Sequence, residues 1–517
     1  MQSSIGKHKY GGGNGKKLIL LRAKFQNKGL LAKILSAFVG QGVGIGFQFV
    51  FIIVAGRILE ESVYGQIVYV YTFLSLVMIL TKFGLENGMV SLMARGDIDI
   101  EEKRWSVLFC LKVATVLSIL AIVFLFIAEP GVKLLMGNGK SNYHLLKVMS
   151  PIILLETWAM IIASVIRGFK RITAYYIIYM HIQYGARVVI FLILYYLVGM
   201  EGLKAIVASY YCSYVAMVIY GHFCLREIHL FSGMKAKFPV TIILGLTVPM
   251  LLSNAIDVVN AQIDQYMIGY MMDDSKKLAV YSVALNIGKV SSFALVAVNS
   301  IFAPMISEYY YGGKFQELER LYSLLTKWVV VFNALATGFI SICAEDVLMI
   351  AGSKYIEGKT VLLIIFIGQL ANSLVGAVGF LNSMTGRPQY VMYAAVSGIC
   401  VNILLNKILI PILGINGAAI ATASALTVDI IVNFVLMYRY LHIQPYNYKY
   451  ICIVPSFVAA FVPTYLLHVV INTNFILKIV VCGGVYTFIY SLCTYMFVFS
   501  SEERVHVKKK FSKNKDK

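Results

Sequence analysis

About fourteen apolar runs of roughly twenty residues follow one another along this chain, joined by short connections. A helix rises about 1.5 Å per residue, so each run matches a hydrocarbon core about 30 Å thick. Inside lipid every backbone N–H and C=O needs a partner within the protein. The chain is therefore predicted to be an all-α integral membrane protein. The predicted spans are 34–56, 63–84, 105–128, 144–166, 173–198, 202–225, 239–271, 278–306, 320–343, 360–384, 389–411, 415–438, 447–470 and 475–499.

Composition agrees. Hydrophobic residues make up 59% of the 517 residues and charged ones only 14%, against about 25% charged in soluble domains. A soluble protein with a net charge of +20 would point to nucleic acid. Here the positive-inside rule explains the charge, and no nucleic-acid partner is expected. With both tails and the even-numbered loops on the cytoplasmic side, that side holds several times as many Lys and Arg as the other. The chain then divides into a basic tail (1–33), spans 1–6 (34–226), a cytoplasmic linker (227–238) and spans 7–12 (239–440). Spans 13–14 (441–500) and a second basic tail (501–517) follow.

Several site classes are excluded. The Gly11 to Lys17 stretch lacks the first glycine of a phosphate loop, since Tyr10 stands there, and its Lys16 is followed by Lys17 instead of Ser or Thr. The eight cysteines form no C-x-x-C pair and the eight histidines no H-E-x-x-H. No cofactor, metal site or catalytic constellation is expected.

An internal repeat shapes the rest. Gly199-Met-Glu-Gly202 and Gly414-Ile-Asn-Gly417 lie 215 residues apart, with Ala208-Ser209 and Ala423-Ser424 at the same offset. Gly168 with Gly386, Ser91 with Ser307 and Arg104 with Arg320 keep that offset within three residues. Two six-helix copies with an even span number are parallel repeats about an axis along the membrane normal. Spans 13 and 14 stand outside the repeat.

These features resemble the multidrug/oligosaccharidyl-lipid/polysaccharide exporter superfamily, and within it the flippases of O-antigen and capsule type. The resemblance covers roughly 30–440. It rests on Tyr64-Gly65, Gly84-Leu85 with Arg95, Asp264, Tyr281-Ser-Val-Ala284, Pro304-Met-Ile-Ser307, Gly386-Arg387 and the Asn402 to Ser424 hairpin. It implies two lobes around a central cavity, alternating access, and a polyprenyl-pyrophosphate-linked oligosaccharide as substrate. It also implies membrane lipids, polysaccharide polymerases and glycosyltransferases as partners, and the cytoplasmic membrane as location.

Charges within a bilayer cost about 2.5–3.5 kcal/mol each, so those present usually face a cavity or a partner. Span 7 carries Ser253, Asp257, Asn260 and Asp264 on one helical face, and span 8 carries Ser282, Asn286 and Lys289 on another. Asp264, Asp257 and Glu156 are the candidate ion-coupling residues, for H⁺ or Na⁺; a structural ion pair locking span 7 to span 8 is the alternative. Arg187 in span 5 and Lys289 are candidates to hold the pyrophosphate, since an Arg fork matches two phosphate oxygens. A buried Arg187–Glu156 pair is the alternative there. Asn402 is the repeat counterpart of Arg187, and Arg57, at the outer end of span 1, is a further candidate substrate contact. Lys82 and Lys327, near span ends, read as snorkelling side chains. A multidrug antiporter of the same fold is the competing function. The antiporters often place an acidic residue in span 1, and none lies there. A polymerase or ligase would carry a large extracytoplasmic loop, which the spacing lacks.

Overall fold

The structure is a computed structural model and describes residues 40, 42–137, 140–227, 238–292, 305–446, 450–499 and 504. Both predicted tails, linker residues 228–237 and Pro304 lie outside the described residues.

The described chain is helical. Ten helices are long and apolar enough to cross a membrane, and two further pairs of helices qualify when each bent pair is read as one span. The bent pairs are Asn142–Met149 with Ile152–Gly168, turning by 46°, and Ser353–Leu374 with Val378–Met384, turning by 44°. They occupy predicted spans 4 and 10, which hydropathy alone reads as continuous. Pro151 caps the second half of span 4, where its missing N–H can donate to no preceding turn. In span 10 the break falls at Gly376, which holds a positive φ of 62°. The two remaining predicted spans are represented by Gly42–Ile58 and, within the described residues, by Ser275–Ser292.

Capping side chains set several ends. Asp99 and Glu102 form a capping box at the start of span 3 (Ile100–Ile127). The Asp274 carboxylate accepts from the Lys276 and Lys277 amides to open span 8, and the Asn474 side chain does the same for span 14 (Phe475–Phe497).

Two pairs of positions related by the predicted repeat share a backbone conformation. Gly199 and Gly414 both turn their hairpins at positive φ, 72° and 58°. Lys170 and Gly386 likewise both adopt positive φ after a bent span. The left-handed region is cheap for glycine, so the pairing Gly199/Gly414 that the sequence shows is a backbone requirement.

The two copies meet along spans 2 (Glu61–Lys82) and 7 (Val240–Met272). Gly65 lies against the Ser275 carbonyl so closely that a Cβ there would fall on the oxygen. Gly84, at φ 69°, meets the Thr247 carbonyl in the same way, and Gly269 lies on the Tyr69 ring. Gly65→Ala is expected to destabilise this arrangement by about 1–3 kcal/mol through overpacking against backbone. The melting temperature of the purified protein reads the change, and an unaltered value would contradict the close contact. Spans 13 (Ile453–Val470) and 14 dock on span 9 (Phe315–Ile342), where the Tyr486 and Tyr490 hydroxyls donate to the Ala334 and Val331 carbonyls at 3.2 and 3.1 Å.

Candidate functional site

Two polar cavities adjoin at the junction of the two copies. The first holds about 180 Å³. Gln48, Tyr64, Tyr184, Arg187 and Tyr210 line it from the first copy, and Ser282, Asn286 and Lys289 from the second. No carboxylate is among its lining residues as described. The second cavity holds about 240 Å³ and lies within the second copy, lined by Asp257, Asn260, Asp264, Asn402, Thr422 and again Lys289. Lys289 begins a short 3₁₀ turn at the end of helix Ser275–Gly288 and lines both cavities.

Arg187 is built in. Its residue is 2% exposed. The guanidinium carbon sits 3.8 Å from the Tyr210 ring centre and 5.0 Å from that of Tyr214, a cation–π cage. Nε donates to Ser213 Oγ at 3.1 Å, while the buried Nη2 has no hydrogen-bond partner. An aromatic cage thus holds the cation in place and leaves a donor to spare beside the cavity. Such a donor is costly unless something accepts from it.

The backbone of span 5 departs from α geometry to present this residue. Residues Ile177–Ala186 and Ile193–Leu197 are π-helical. A π stretch shifts every following side chain around the helix axis. Spacing counted at 3.6 residues per turn groups Gln183 with Arg187; the structure buries Gln183 and lines the cavity with Tyr184 and Arg187.

The alternative pairing of Arg187 with Glu156 takes an indirect form. Glu156 is 5% exposed and accepts from Tyr214 at 2.6 Å and Tyr71 at 3.0 Å through Oε2, and from Lys82 at 3.2 Å through Oε1. Tyr214 therefore stands between the two charges, stacked on one and donating to the other. Lys82 does not snorkel as expected; it pairs with both Glu86 and Glu156 at 3.2 Å. Lys327 also departs from that reading, being 4% exposed beside the Trp328 ring.

Asp264 sits in the second cavity's wall, 3% exposed. Its two oxygens accept from Asn406 Nδ2 at 2.8 Å and Thr422 Oγ1 at 2.7 Å. Asn406 Nδ2 also donates to Asn402 Oδ1 at 2.5 Å, and Tyr281 and Thr422 share a hydrogen bond at 3.0 Å. Asn406 Oδ1 is buried with no hydrogen-bond partner. Lys289 lies within electrostatic reach of Asp264. Asp257 and Asn260 share the cavity, as their spacing along span 7 predicts, whereas Ser253, placed on the same face by the sequence, is exposed and is not among the lining residues. Asn402, grouped with Arg187 by the repeat, joins this carboxylate cluster and not the Arg187 cavity.

Arg57 stands apart from both cavities. Its Nε donates to the Ile350 carbonyl at 2.7 Å, and Tyr355 OH donates to the Gly56 carbonyl at 3.4 Å. Lys354 Nζ donates to the Leu59 carbonyl. These bonds tie the end of span 1 to the segment before span 10, on the face that the charge pattern assigns to the outside. In this structure Arg57 is a latch between the copies.

Sequence reasoning missed the tyrosines. Tyr64, Tyr71, Tyr184 and Tyr210 line the first cavity. The signal available was the i, i+4 pair Tyr210/Tyr214 with Ser213 between, facing Arg187 across two neighbouring spans. It was hidden among 34 tyrosines.

The sequence profile of the family described as "Polysaccharide biosynthesis protein" matches residues 30–310. The chain belongs to that family. A second profile, "MatE", matches residues 249–408. An uncharacterized membrane protein of Methanocaldococcus jannaschii is 23% identical over 447 residues, 82% of this chain and 86% of the relative. Among solved structures the fold is similar to a lipid II flippase, MurJ, in an inward closed conformation. That likeness has a TM-score of 0.72 and 12% identity, over 89% of this chain and 98% of the flippase. It is also similar to an inward-facing multidrug resistance MATE transporter of the MOP superfamily. There the TM-score is 0.63 and identity 14%, over 77% and 94% of the two chains. The protein is thus a multi-pass membrane transporter of the MOP superfamily, the exporter superfamily that the sequence features resemble.

Proposed function

We propose that this transporter flips a polyprenyl-pyrophosphate-linked oligosaccharide across the cytoplasmic membrane by alternating access, for surface polysaccharide biosynthesis. The observation that carries the reading is the first cavity: a cation from each copy, Arg187 and Lys289, and no carboxylate among its described lining. Two cations lining one cavity suit a pyrophosphate, and the spare Arg187 Nη2 donor suits one of its oxygens. Neighbouring tyrosine rings and the amides of Gln48, Gln262 and Gln265 suit the first sugars. A third cavity of about 450 Å³ is apolar and lined by span 1 (Gly42, Gly46, Phe49), Ile287, Phe339 and Ile479. It offers a place for the first isoprene units beside the head site. A similar protein is named a lipid II flippase, which favours a lipid-linked substrate.

Energy enters through the second cavity in this reading. Asp264, Asn402, the unpartnered Asn406 Oδ1 and Thr422 gather oxygens around a buried carboxylate, a setting for Na⁺ or H⁺. Lys289 borders both cavities and would feel both the ion and the pyrophosphate. Glu156, committed to Lys82 and two tyrosines, serves instead to hold Tyr214 and hence Arg187. In this reading the cytoplasmic side is where glycosyltransferases would supply the lipid-linked oligosaccharide, and a polymerase on the opposite side would consume it.

A multidrug antiporter is the competing reading, favoured by Asp257 and Asp264 sharing one cavity and by the MATE-like fold. Liposomes containing the purified protein separate the two. Flipping of a fluorescent polyprenyl-pyrophosphate without uptake of a cationic dye is the expected result. Dye uptake driven by an ion gradient, with no lipid flipping, would reverse the assignment.

Alternating access requires the outer latch to open. Arg57→Ala removes one charge-assisted hydrogen bond, worth about 1.5 kcal/mol. It is expected to shift the equilibrium toward outer opening by about tenfold. Crosslinking of paired cysteines placed across that face measures the shift, and an unchanged yield would remove Arg57 from the latch.

A further inference from the structure

Spans 13 and 14 lie outside the repeat, and the transport reading gives them no chemistry. Where they meet the core, four metal-ligating side chains converge from four separate elements. Cys343 closes span 9, and Asp346 lies in the first turn of the short helix Ala344–Ala351. His468 is in the last turn of span 13, and Cys482 is in the second turn of span 14. We propose that these residues form a site for one thiophilic divalent cation of the zinc type, fastening spans 13 and 14 to the core.

The geometry supports it. One ligand atom each from Cys343, Asp346 and His468 lie within 4.8 Å of one another. Asp346 Oδ2 and His468 Nε2 are 2.6 Å apart. Cys482 is close enough to Cys343 for their thiols to hydrogen bond. A tetrahedral zinc with legs of about 2.0–2.3 Å spaces its ligand atoms about 3.3–3.8 Å apart. The widest separation among these three therefore closes by about 1 Å, the Asp346–His468 pair opens by slightly less, and Cys482 moves in from beside Cys343 as the fourth ligand. Both thiols are fully buried, while the Asp346 and His468 side chains are 12 and 16% exposed, which leaves an entry path on their side.

The chemistry selects the ion. Two thiolates and an imidazole favour zinc-like metals over the oxygen-seeking Mg²⁺ and Ca²⁺. On binding, Cys343 and Cys482 release their protons to solvent and His468 binds as neutral imidazole. Two thiolates and one carboxylate then face a dication, leaving one negative charge. Lys478, one helical turn before Cys482 and within electrostatic reach of both thiols, offsets it. The bland alternatives are a His468–Asp346 ion pair beside two packed thiols, or a disulfide between Cys343 and Cys482. The proposal is independent of what the transporter carries.

Purified full-length protein, reduced and stripped with a chelator, is titrated with Co²⁺ as a spectroscopic probe and then with Zn²⁺ as competitor. One equivalent is expected to give a thiolate-to-cobalt charge-transfer band and tetrahedral ligand-field bands, both erased by Zn²⁺, with a raised melting temperature. Cys343→Ser, Cys482→Ser and His468→Ala should each weaken binding by more than ~100-fold, the upper range for loss of even an outer-shell partner. Cys400→Ser, at an exposed cysteine elsewhere, should not. The wild-type titration stands even where a variant fails to fold. No thiolate band in the reduced protein, a band that survives the three variants, or a Cys343–Cys482 crosslink in the protein as isolated would overturn the site.

Discussion

Arg187→Ala should lower flipping of a polyprenyl-pyrophosphate in reconstituted liposomes by about 100-fold or more. Charge-assisted hydrogen bonds contribute about 1.5–3 kcal/mol each, and the two hydrogens on the spare Arg187 Nη2 can make two to pyrophosphate oxygens. Losing them costs about 3–4 kcal/mol of binding, or roughly two to three decades in affinity. The aromatic cage makes the substitution interpretable. Tyr210 and Tyr214 remain packed on spans 5 and 6, and Ser213 Oγ keeps its own bond to the Tyr210 carbonyl. Arg187→Lys retains the charge and loses the fork, so it should fall between the two. Arg187→Met fills the space without charge and should resemble alanine. Inorganic pyrophosphate competing for the site gives a readout that packing alone does not move. If Arg187→Met flips lipid at the wild-type rate, Arg187 is only a core cation and the pyrophosphate site must be sought elsewhere.

The second large effect belongs to Asp264. Asp264→Asn keeps the shape of the side chain and its acceptor toward Thr422 or Asn406, but removes the charge that would attract a coupling ion. Gradient-driven flipping should drop by about 100-fold, while pyrophosphate binding at Arg187 changes little; a loss of that size corresponds to about 2.7 kcal/mol. Asp264→Leu goes further, because it removes the acceptor of one Asn406 Nδ2 hydrogen in a buried site, at about 1–3 kcal/mol, while Thr422 Oγ1 keeps the Ala418 carbonyl. That variant should also melt at a lower temperature. Measuring flipping with and without imposed Na⁺ and H⁺ gradients separates coupling from stability. Equal gradient dependence in wild type and Asp264→Asn would place the coupling site elsewhere.

The two substitutions also bear differently on Lys289. It borders the Arg187 cavity and the Asp264 cavity at once. In the proposed reading, an ion neutralising Asp264 would weaken the attraction of Asp264 for Lys289 and favour the interaction of Lys289 with pyrophosphate. This gives a physical link between ion and substrate without any long-range wire, since one side chain serves both sites.

Much of this architecture was legible in the chain. Long apolar runs specify crossings, because lipid leaves the backbone no other partner than itself. The 215-residue echo specified the repeat, and the positive φ at Gly199 and Gly414 shows why those glycines recur. Asp257, Asn260 and Asp264 share one cavity and Ser282, Asn286 and Lys289 another, because α periodicity holds along span 7 there and along span 8 up to Gly288; Lys289, at the following 3₁₀ turn, lines both.

Other features depended on contacts between distant segments. The bends at Pro151 and near Gly376 escape hydropathy, which averages over a window and sees no direction. The π stretch in span 5 regroups the side chains around Arg187, and no local preference in its sequence announces it. The neighbours of a charge are chosen by packing. Thus Glu156 meets Lys82 and Tyr214, Asn402 meets Asn406 and not Arg187's cavity, and Arg57 meets a carbonyl nearly three hundred residues away. The sequence by itself determined that this chain is helical and spans a membrane with a few charges inside its spans, because those properties follow from the solvent and from periodicity along one helix. Only the tertiary structure decided which charges share a cavity, because that depends on how helices far apart in sequence are turned toward one another.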